Sequence, residues 1–147
     1  MIFSKSFGYA LRGILYVALM ADDKSRVQLD EIAQKLAVPR FFLGKIMNRL
    51  VRDGLLNSEK GHRGGFSLSQ RSMEVSLMDL VKITGDGESF ESCVLRLRKC
   101  NSANPCPLHN EIESLRSQWH NLLSQTTVGD LLKKDQPDFL KSIATIA

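Results

Sequence analysis

The sequence lacks several features by which common classes of protein are assigned. The apolar stretch from Ile14 to Met20 is far shorter than the roughly 20 apolar residues that cross a bilayer. No internal repeat or low-complexity tract occurs, and no nucleophile–base pair, phosphate-binding glycine loop or pair of carboxylates stands out. The sequence therefore predicts neither a membrane protein nor an enzyme.

Cysteine is also scarce, since the chain contains only three. An odd number leaves one thiol unpaired in any disulfide framework. A signal peptide around residues 14–20 is disfavoured, because Arg12 and Gly13 lie just ahead of that run and apolar residues from Phe7 to Leu19 keep the spacing of an amphipathic helix. We therefore expect a cytoplasmic protein whose thiols stay reduced.

The excess of positive charge is small and confined to one segment. The chain has 20 Lys and Arg against 16 Asp and Glu, a net charge of +4. Residues 37–75 hold seven basic and three acidic residues, so the whole excess resides there and the rest of the chain is balanced. A basic segment in an otherwise neutral chain is typical of a surface that meets a polyanion.

Helical patterns dominate the N-terminal half. They predict helices over residues 4–20 and 30–36, and a third helix with Pro39 in its first position, where the missing N–H costs nothing. Gly54 follows as the left-handed residue that ends the third helix.

A β-hairpin is predicted directly after the third helix. Two short alternating runs, residues 55–60 and 66–69, flank the glycine-rich turn 61–65. Three helices followed by a hairpin is the order of a winged helix. In that fold the third helix enters the major groove of DNA and the hairpin tip reaches the backbone or the minor groove.

The third predicted helix has two different faces. Its apolar residues repeat at helical spacing from Leu43 to Val51 and predict a buried stripe, whereas the opposite face is cationic and polar. Such a face is often only solvated surface, but an arginine-tipped hairpin beside it favours DNA binding. The residues predicted to contact DNA are Arg40, Phe41, Lys45, Asn48, Arg49, Arg52, Lys60, His62 and Arg63.

The side-chain types suggest a division of roles on DNA. Lys45 is suited to guanine and Asn48 to adenine in the major groove. Arg63, at the hairpin tip, is suited to a narrow minor groove. Phosphate contacts are assigned to Arg49, Arg52 and Lys60, and His62 is either a phosphate contact or a solvated turn residue.

Beyond the hairpin, the pattern predicts further helices and a dimer. Ser76 and Asp79 begin a fourth helix, and a last short helix begins at Thr127. Between them lies an apolar seam with alternating spacings of four and three, which is typical of a helix that pairs with a partner helix. Two paired modules would read a near-palindromic site with half-sites one helical turn apart. The seam residues are Leu108, Ile112, Leu115, Trp119 and Leu122.

All three cysteines fall within residues 93–106 and are followed by a histidine. The spacing C-x6-C-x5-C-x2-H lacks the close pairs of zinc sites and differs from the ferredoxin patterns. Spacing alone leaves open a metal centre, a thiol switch, or a redox protein that docks an acidic partner. The last is disfavoured by the missing C-x-x-C motif and by the winged helix. The residues concerned are Cys93, Cys100, Cys106 and His109.

Several short segments together form a specific pattern. They are SKSFGYA at 4–10, DEIA at 30–33, the third helix with Leu43, Leu50 and Asp53-Gly54-Leu55, KGHRGGF at 60–66, the cysteine trio with its trailing histidine, and TVGDL at 127–131. With these segments the chain resembles, from Ile2 to Leu132, the bacterial family of iron-sulfur cluster regulators and nitric-oxide-sensing repressors. Members of that family are dimeric winged-helix transcription factors.

The resemblance implies a [2Fe-2S] cluster held by Cys93, Cys100 and Cys106, with His109 as the fourth ligand. Related sensors instead take a carboxylate from the first helix of the partner subunit. Here Gly8 occupies that region and no acidic residue precedes Asp22, which disfavours this alternative. The family commonly places five residues between its first two cysteines, whereas this chain has six.

We therefore expect a mainly α-helical fold with a small β-hairpin: a winged helix-turn-helix domain followed by a long dimerisation helix. The predicted divisions are the DNA-binding domain 1–87, the cluster-binding loop 88–107, the dimerisation helix and a short C-terminal helix 108–134, and the tail 135–147. The expected function is a homodimeric regulator that binds double-stranded DNA, has no membrane partner, and senses iron-sulfur, redox or nitric oxide status. The alternatives are a winged-helix regulator with a thiol switch or another metal, and an electron-transfer or thiol-redox protein.

Overall fold

Six α-helices, a short 3₁₀-helix and one β-hairpin make up the part of the chain that the structure describes. The structure is a computed structural model and describes residues 3–95, 102–134 and 142–143. Its mainly helical architecture with a small hairpin confirms the predicted fold class. The elements are α1 (Lys5–Met20), α2 (Leu29–Leu36), α3 (Arg40–Arg52), β1 (Leu56–Glu59), β2 (Gly65–Leu68), α4 (Leu77–Ile83), the 3₁₀-helix Gly87–Phe90, α5 (His109–Gln125) and α6 (Val128–Lys133).

The first helix, α1, is the centre of the core. It contacts α2, α3, α4, α6 and β2, and Ala10 and Ile14 on it are completely buried. Ser4 caps it as predicted, because the Ser4 Oγ accepts a hydrogen bond from the Phe7 N–H at 3.2 Å. Since α1 touches both α3 and α6, the N-terminal and C-terminal helices share one core.

A polar cluster fixes α2 against α1. The Tyr16 hydroxyl donates to Glu31 Oε1 at 2.8 Å, and Lys24 Nζ lies 2.7 Å from Glu31 Oε2. Burial, together with the bond to Glu31, raises the pKa of Tyr16 to about 12. Burial alone would raise the pKa of Glu31, but the hydrogen bonds from Lys24 and Tyr16 outweigh it and hold that pKa below its ordinary value.

The turn between α2 and α3 differs slightly from the prediction. Ala37 adopts the left-handed conformation with φ of 53° and ends α2. Pro39 was predicted as the first residue of α3 but is the residue before it, since its ψ of 127° is not helical and α3 begins at Arg40. The buried stripe of α3 is confirmed, and its buried residues are Leu43, Ile46, Met47 and Leu50.

The hairpin is joined to the helices by a backbone bridge. Its strands pair in antiparallel register from Leu56 opposite Leu68 to Glu59 opposite Gly65. Val27, in the connection between α1 and α2, exchanges two backbone hydrogen bonds with Phe66, at 2.8 and 2.9 Å. A Cβ at Gly65 would lie 2.6 Å from the Val27 carbonyl oxygen, so only glycine permits this approach.

The chain returns to the winged module after α5. Ser76 and Thr127 form an isolated antiparallel bridge, and the Val128 N–H donates to the Val75 carbonyl at 3.1 Å. Val128 is completely buried. Thr127 and Asp130 form a capping box at the predicted start of α6. This last helix therefore packs on the core that contains α1.

None of the helices within the described ranges has the length and apolar character needed to cross a membrane.

Candidate nucleic-acid interface and cysteine segment

The basic face of α3 is brought to the surface. Lys45, Asn48, Arg49 and Arg52 are all exposed, and Phe41 is 76% exposed beside them. No acidic residue occurs in α3. The structure thus presents the predicted contact residues of this helix on one cationic surface.

Two arginines of this helix contact neighbouring elements. Arg40 Nε donates to Asp30 at the start of α2. Arg49 Nη1 donates to the carbonyl of Ile83, the last residue of α4, at 3.2 Å. The Arg40 pair is well exposed, and exposed pairs contribute roughly 0–1 kcal/mol, so Arg40 can exchange Asp30 for a phosphate at little cost.

The hairpin tip is exposed and held in place. Lys60, His62 and Arg63 are exposed, and the His62 carbonyl accepts a hydrogen bond from Gln28 Nε2 at 2.8 Å. A Cβ at Gly64 would lie 2.2 Å from the Glu59 carbonyl oxygen, so the tight turn requires glycine there. The three polar side chains therefore project from a fixed turn on a short hairpin.

Sequence reasoning missed the residues that hold the hairpin. Gln28 binds its tip, and Arg26 Nη2 lies 2.6 Å from Glu59 Oε1 on β1. These contacts join residues more than 30 positions apart, so local periodicity carries no signal for them. Arg71, counted in the basic segment, donates to the Asp53 carbonyl at 3.1 Å behind the end of α3.

The cysteine segment is described in part. Cys93 is buried and Cys106 half-buried, whereas Cys100 lies outside the described residues. His109 is half-buried as the first residue of α5, and its backbone N–H donates to the Cys106 carbonyl at 3.0 Å. Two predicted ligands thus sit on a single hydrogen-bonded turn. Within the ranges that the structure covers, no three Cys, His, Asp or Glu side chains gather as a metal-binding group.

The residues that precede Cys93 are held against α1 and α5. Arg116 on α5 donates to the carbonyl of Ser92. The Phe3 ring stacks on Phe7 of α1 at 5.0 Å and packs edge-on against Trp119 at 5.2 Å and against Phe90 at 5.8 Å between ring centroids. The residue that precedes Cys93 is therefore in direct contact with α5.

The predicted seam of α5 is divided between two environments. Leu108, Leu115 and Leu122, spaced seven residues apart, are 46%, 51% and 56% exposed. Ile112 is half-buried, and Trp119 packs against the chain's own core. Three leucines at heptad spacing remain as an apolar stripe on the outer surface of α5.

Comparisons with known proteins agree with this architecture. The Rrf2 family model, described as an iron-dependent transcriptional regulator, matches residues 3–134. A protein of Aquifex aeolicus (strain VF5) named "Putative HTH-type transcriptional regulator" is 38% identical over 138 residues, which cover 92% of this chain and 94% of the relative. The HTH-type transcriptional regulator NsrR of Shouchella clausii (strain KSM-K16) is 29% identical, over 84% of this chain and 83% of the relative.

Solved structures show the same fold. CymR, the global cysteine regulator of B. subtilis, superposes with a TM-score of 0.71 at 21% identity, over 91% of this chain and 98% of that one. The IscR of T. potens gives a TM-score of 0.69 at 18% identity, over 93% and 90% of the two chains. The family model, the relatives and the winged-helix architecture agree: this chain belongs to the Rrf2 family, whose members are transcriptional regulators rather than enzymes.

Proposed function

We propose that the chain is a homodimeric, sequence-specific DNA-binding regulator whose DNA affinity responds to an iron-sulfur cluster. The observation that carries the DNA-binding part is the exposed cationic face of α3 beside a hairpin tip that Gln28 holds in place. A helix and a wing fixed relative to each other can enter adjacent grooves of one duplex.

Each side chain of this interface has a role suited to its place. Lys45 and Asn48, on the exposed face of α3, reach base edges in the major groove. Arg52 and Lys60 bind phosphates, and Arg63 enters the neighbouring minor groove. Arg49, which also donates to the last carbonyl of α4, is a third phosphate contact.

The exposed leucine stripe of α5 supports the dimer. Leu108, Leu115 and Leu122 lie on the outer surface at the heptad spacing of paired helices. Two chains joined along this stripe present two copies of α3, which suits a near-palindromic operator.

The donor set of the cysteine segment fits an iron-sulfur cluster. Three thiolates and an imidazole are suitable iron ligands, and Cys106 and His109 already share one turn. We propose that Cys93, Cys100, Cys106 and His109 hold a [2Fe-2S] cluster, which the resemblance to iron-sulfur cluster regulators implies and with which the iron-dependent description of the family model is consistent. When bound, such a cluster supplies a centre that responds to redox state, iron supply or nitric oxide.

The response would reach DNA through the chain's own contacts. Arg116 ties the residue before Cys93 to α5, and Phe3 ties α5 to α1. A change in how this segment packs thus alters the angle between α5 and the winged module, and with it the separation of the two α3 helices. The DNA affinity changes only by the difference in free energy between the two arrangements.

DNA binding is tested by selection from a pool of random duplexes, followed by footprinting of the enriched sequence. We expect one protected, near-palindromic site, and weaker binding after Lys45→Met. Lys133→Met removes the same charge from α6 and should leave the affinity unchanged. If no sequence is enriched or protected, the proposal that this chain itself binds a specific DNA site fails.

The cluster is tested by anaerobic purification, the visible absorption spectrum, and counts of iron and acid-labile sulfide. We expect absorption bands of an iron-sulfur cluster that Cys106→Ser abolishes and His109→Ala alters, while His120→Ala has no effect. A colourless protein that also fails to accept a reconstituted cluster would instead support a thiol switch. A wild-type spectrum in the His109→Ala protein would assign the fourth ligand elsewhere.

A further inference from the structure

One large apolar side chain on α3 is exposed to solvent. Phe41, the second residue of the helix, is 76% exposed on a polar face. Its neighbour Phe42 is 39% exposed and packs edge-on against Tyr9, with 5.7 Å between the ring centroids. A single exposed apolar residue would need no explanation, but two consecutive exposed phenylalanines form an apolar patch on a charged surface. Such a patch is expected where a partner covers it.

Lys45 lies directly over this ring. Its Nζ is 4.5 Å from the centroid of the Phe41 ring, as the i, i+4 spacing on one helix face allows. The contact is a cation–π interaction, which at an exposed site favours positions of the ammonium near the ring by roughly 0.5–1 kcal/mol. Because α3 contains no acidic residue, no carboxylate of the same helix competes with the ring for this ammonium.

The pair therefore presents an apolar ring and an adjacent ammonium group near the start of the helix that would read DNA. The first residues of such a helix contact base edges. In the major groove the apolar group is the 5-methyl of thymine, and the strongest paired acceptors are O6 and N7 of guanine. Four residues rise about 6 Å along a helix and base pairs stack about 3.4 Å apart, so the two groups reach base pairs no more than two steps apart.

We propose that Phe41 and Lys45 form one reading unit that recognises a thymine together with a guanine one or two base pairs away. The Phe41 ring covers the thymine methyl, and the Lys45 ammonium donates to guanine O6 and N7. The inference rests on the proposed DNA-binding function and specifies part of the sequence that is read.

The thymine contact is tested on a duplex selected from a random pool by the wild-type protein. Each thymine of one half-site is replaced in turn by deoxyuridine, which removes only the methyl group. We expect one replacement to weaken wild-type binding about fourfold, as loss of one buried methyl predicts. The same replacement should not change DNA binding by Phe41→Ala and should weaken DNA binding by Phe41→Leu less than by the wild-type protein. The ring is exposed, so both variants should fold, which circular dichroism can verify.

The guanine contact is tested in the same way with 7-deazaguanine, which lacks the N7 acceptor. Replacing the guanine one or two base pairs from the sensitive thymine should weaken DNA binding by the wild-type protein and should not change DNA binding by Lys45→Met. Phe42→Leu serves as the matched control, because it alters the neighbouring ring and should retain both sensitivities. If a sequence is selected but no thymine couples to Phe41, or if Phe42→Leu loses the coupling equally, this inference is wrong and the proposed function stands. If no sequence is selected, the proposed function itself fails.

Discussion

A single hydroxyl joins the first two helices of this chain. The Tyr16 side chain is 2% exposed, and its hydroxyl donates to a carboxylate of Glu31 that also binds Lys24. Buried polar groups contribute through the partners they keep, because an unpaired one costs its full desolvation. The buried Tyr16 hydroxyl thus stabilises the fold only while Glu31 accepts its hydrogen bond.

We predict that Tyr16→Phe lowers the free energy of unfolding by about 1 kcal/mol near neutral pH, the usual cost of one hydrogen bond. The pKa of Glu31 is lowered in the folded chain, so its stabilisation is present above its ordinary value of 4.5 and is lost as pH falls through the folded value. The pKa of Tyr16 is raised from 10.0 to about 12, so its stabilisation is present below pH 10 and is lost as pH rises towards 12.

Urea denaturation at pH 4, 7 and 11 measures this difference. We expect the wild-type protein and Tyr16→Phe to differ most at pH 7 and less at both extremes. Tyr9→Phe removes the hydroxyl of the other tyrosine in the chain and should not reproduce this pH profile. A difference that is constant with pH would show that only packing is lost.

At the scale of elements, α6 depends on its first turn. Thr127 Oγ1 accepts from the Asp130 N–H, and Asp130 Oδ2 accepts from the Thr127 N–H, both at 3.0 Å. Loss of such a cap typically costs about 1 kcal/mol. We predict that Thr127→Ala lowers the unfolding free energy by about this amount, whereas Thr126→Ala, one residue earlier, has a smaller effect. Equal losses in thermal or urea denaturation would contradict the role of the cap.

The outer stripe of α5 provides a second prediction at this scale. Leu115→Glu places a charge at the centre of the stripe and should dissociate the proposed dimer, as measured by sedimentation at micromolar concentration. Ser124→Glu introduces the same charge on the opposite face of the helix and should leave the dimer intact. If both variants form dimers of equal stability, the dimer interface does not lie on this stripe of α5.

The sequence predicted elements well where burial imposes a period, and failed where contacts are long-range. The stripe of α3 and the caps Ser4 and Thr127 are local patterns and were confirmed. The exact start of α3 was missed because Pro39 suits both the cap and the first helical position. For Trp119, periodicity placed the ring on the seam without showing that Phe3 covers it. The predicted metal ligands stay predictions, since Cys100 lies outside the described residues.

At the scale of the whole molecule, the structure separates basic residues that the sequence counts together. Lys60 is exposed at the base of the hairpin tip, whereas the Arg71 guanidinium binds the end of α3. Each phosphate contact adds about 0.9 to the slope of log affinity against log salt. We predict that Lys60→Ala, which removes a proposed phosphate contact, reduces this slope by about one and that Arg71→Ala leaves it unchanged. Titrations of the selected duplex at several salt concentrations measure both slopes, and equal slopes for the two variants would refute the distinction.

The backbone bridge between Ser76 and Thr127 limits where this protein can be truncated. Beside this bridge, the Val128 N–H donates to the Val75 carbonyl and the Leu77 N–H donates to the Thr126 carbonyl. The Val128 side chain is completely buried. A truncation at Gln125 would remove this covering from the winged helix and expose its apolar core. An internal excision that keeps both α4 and α6 would retain the covering, but it would also remove Leu123 of α5 from the same core. The winged helix is thus a discontinuous unit, completed by α6.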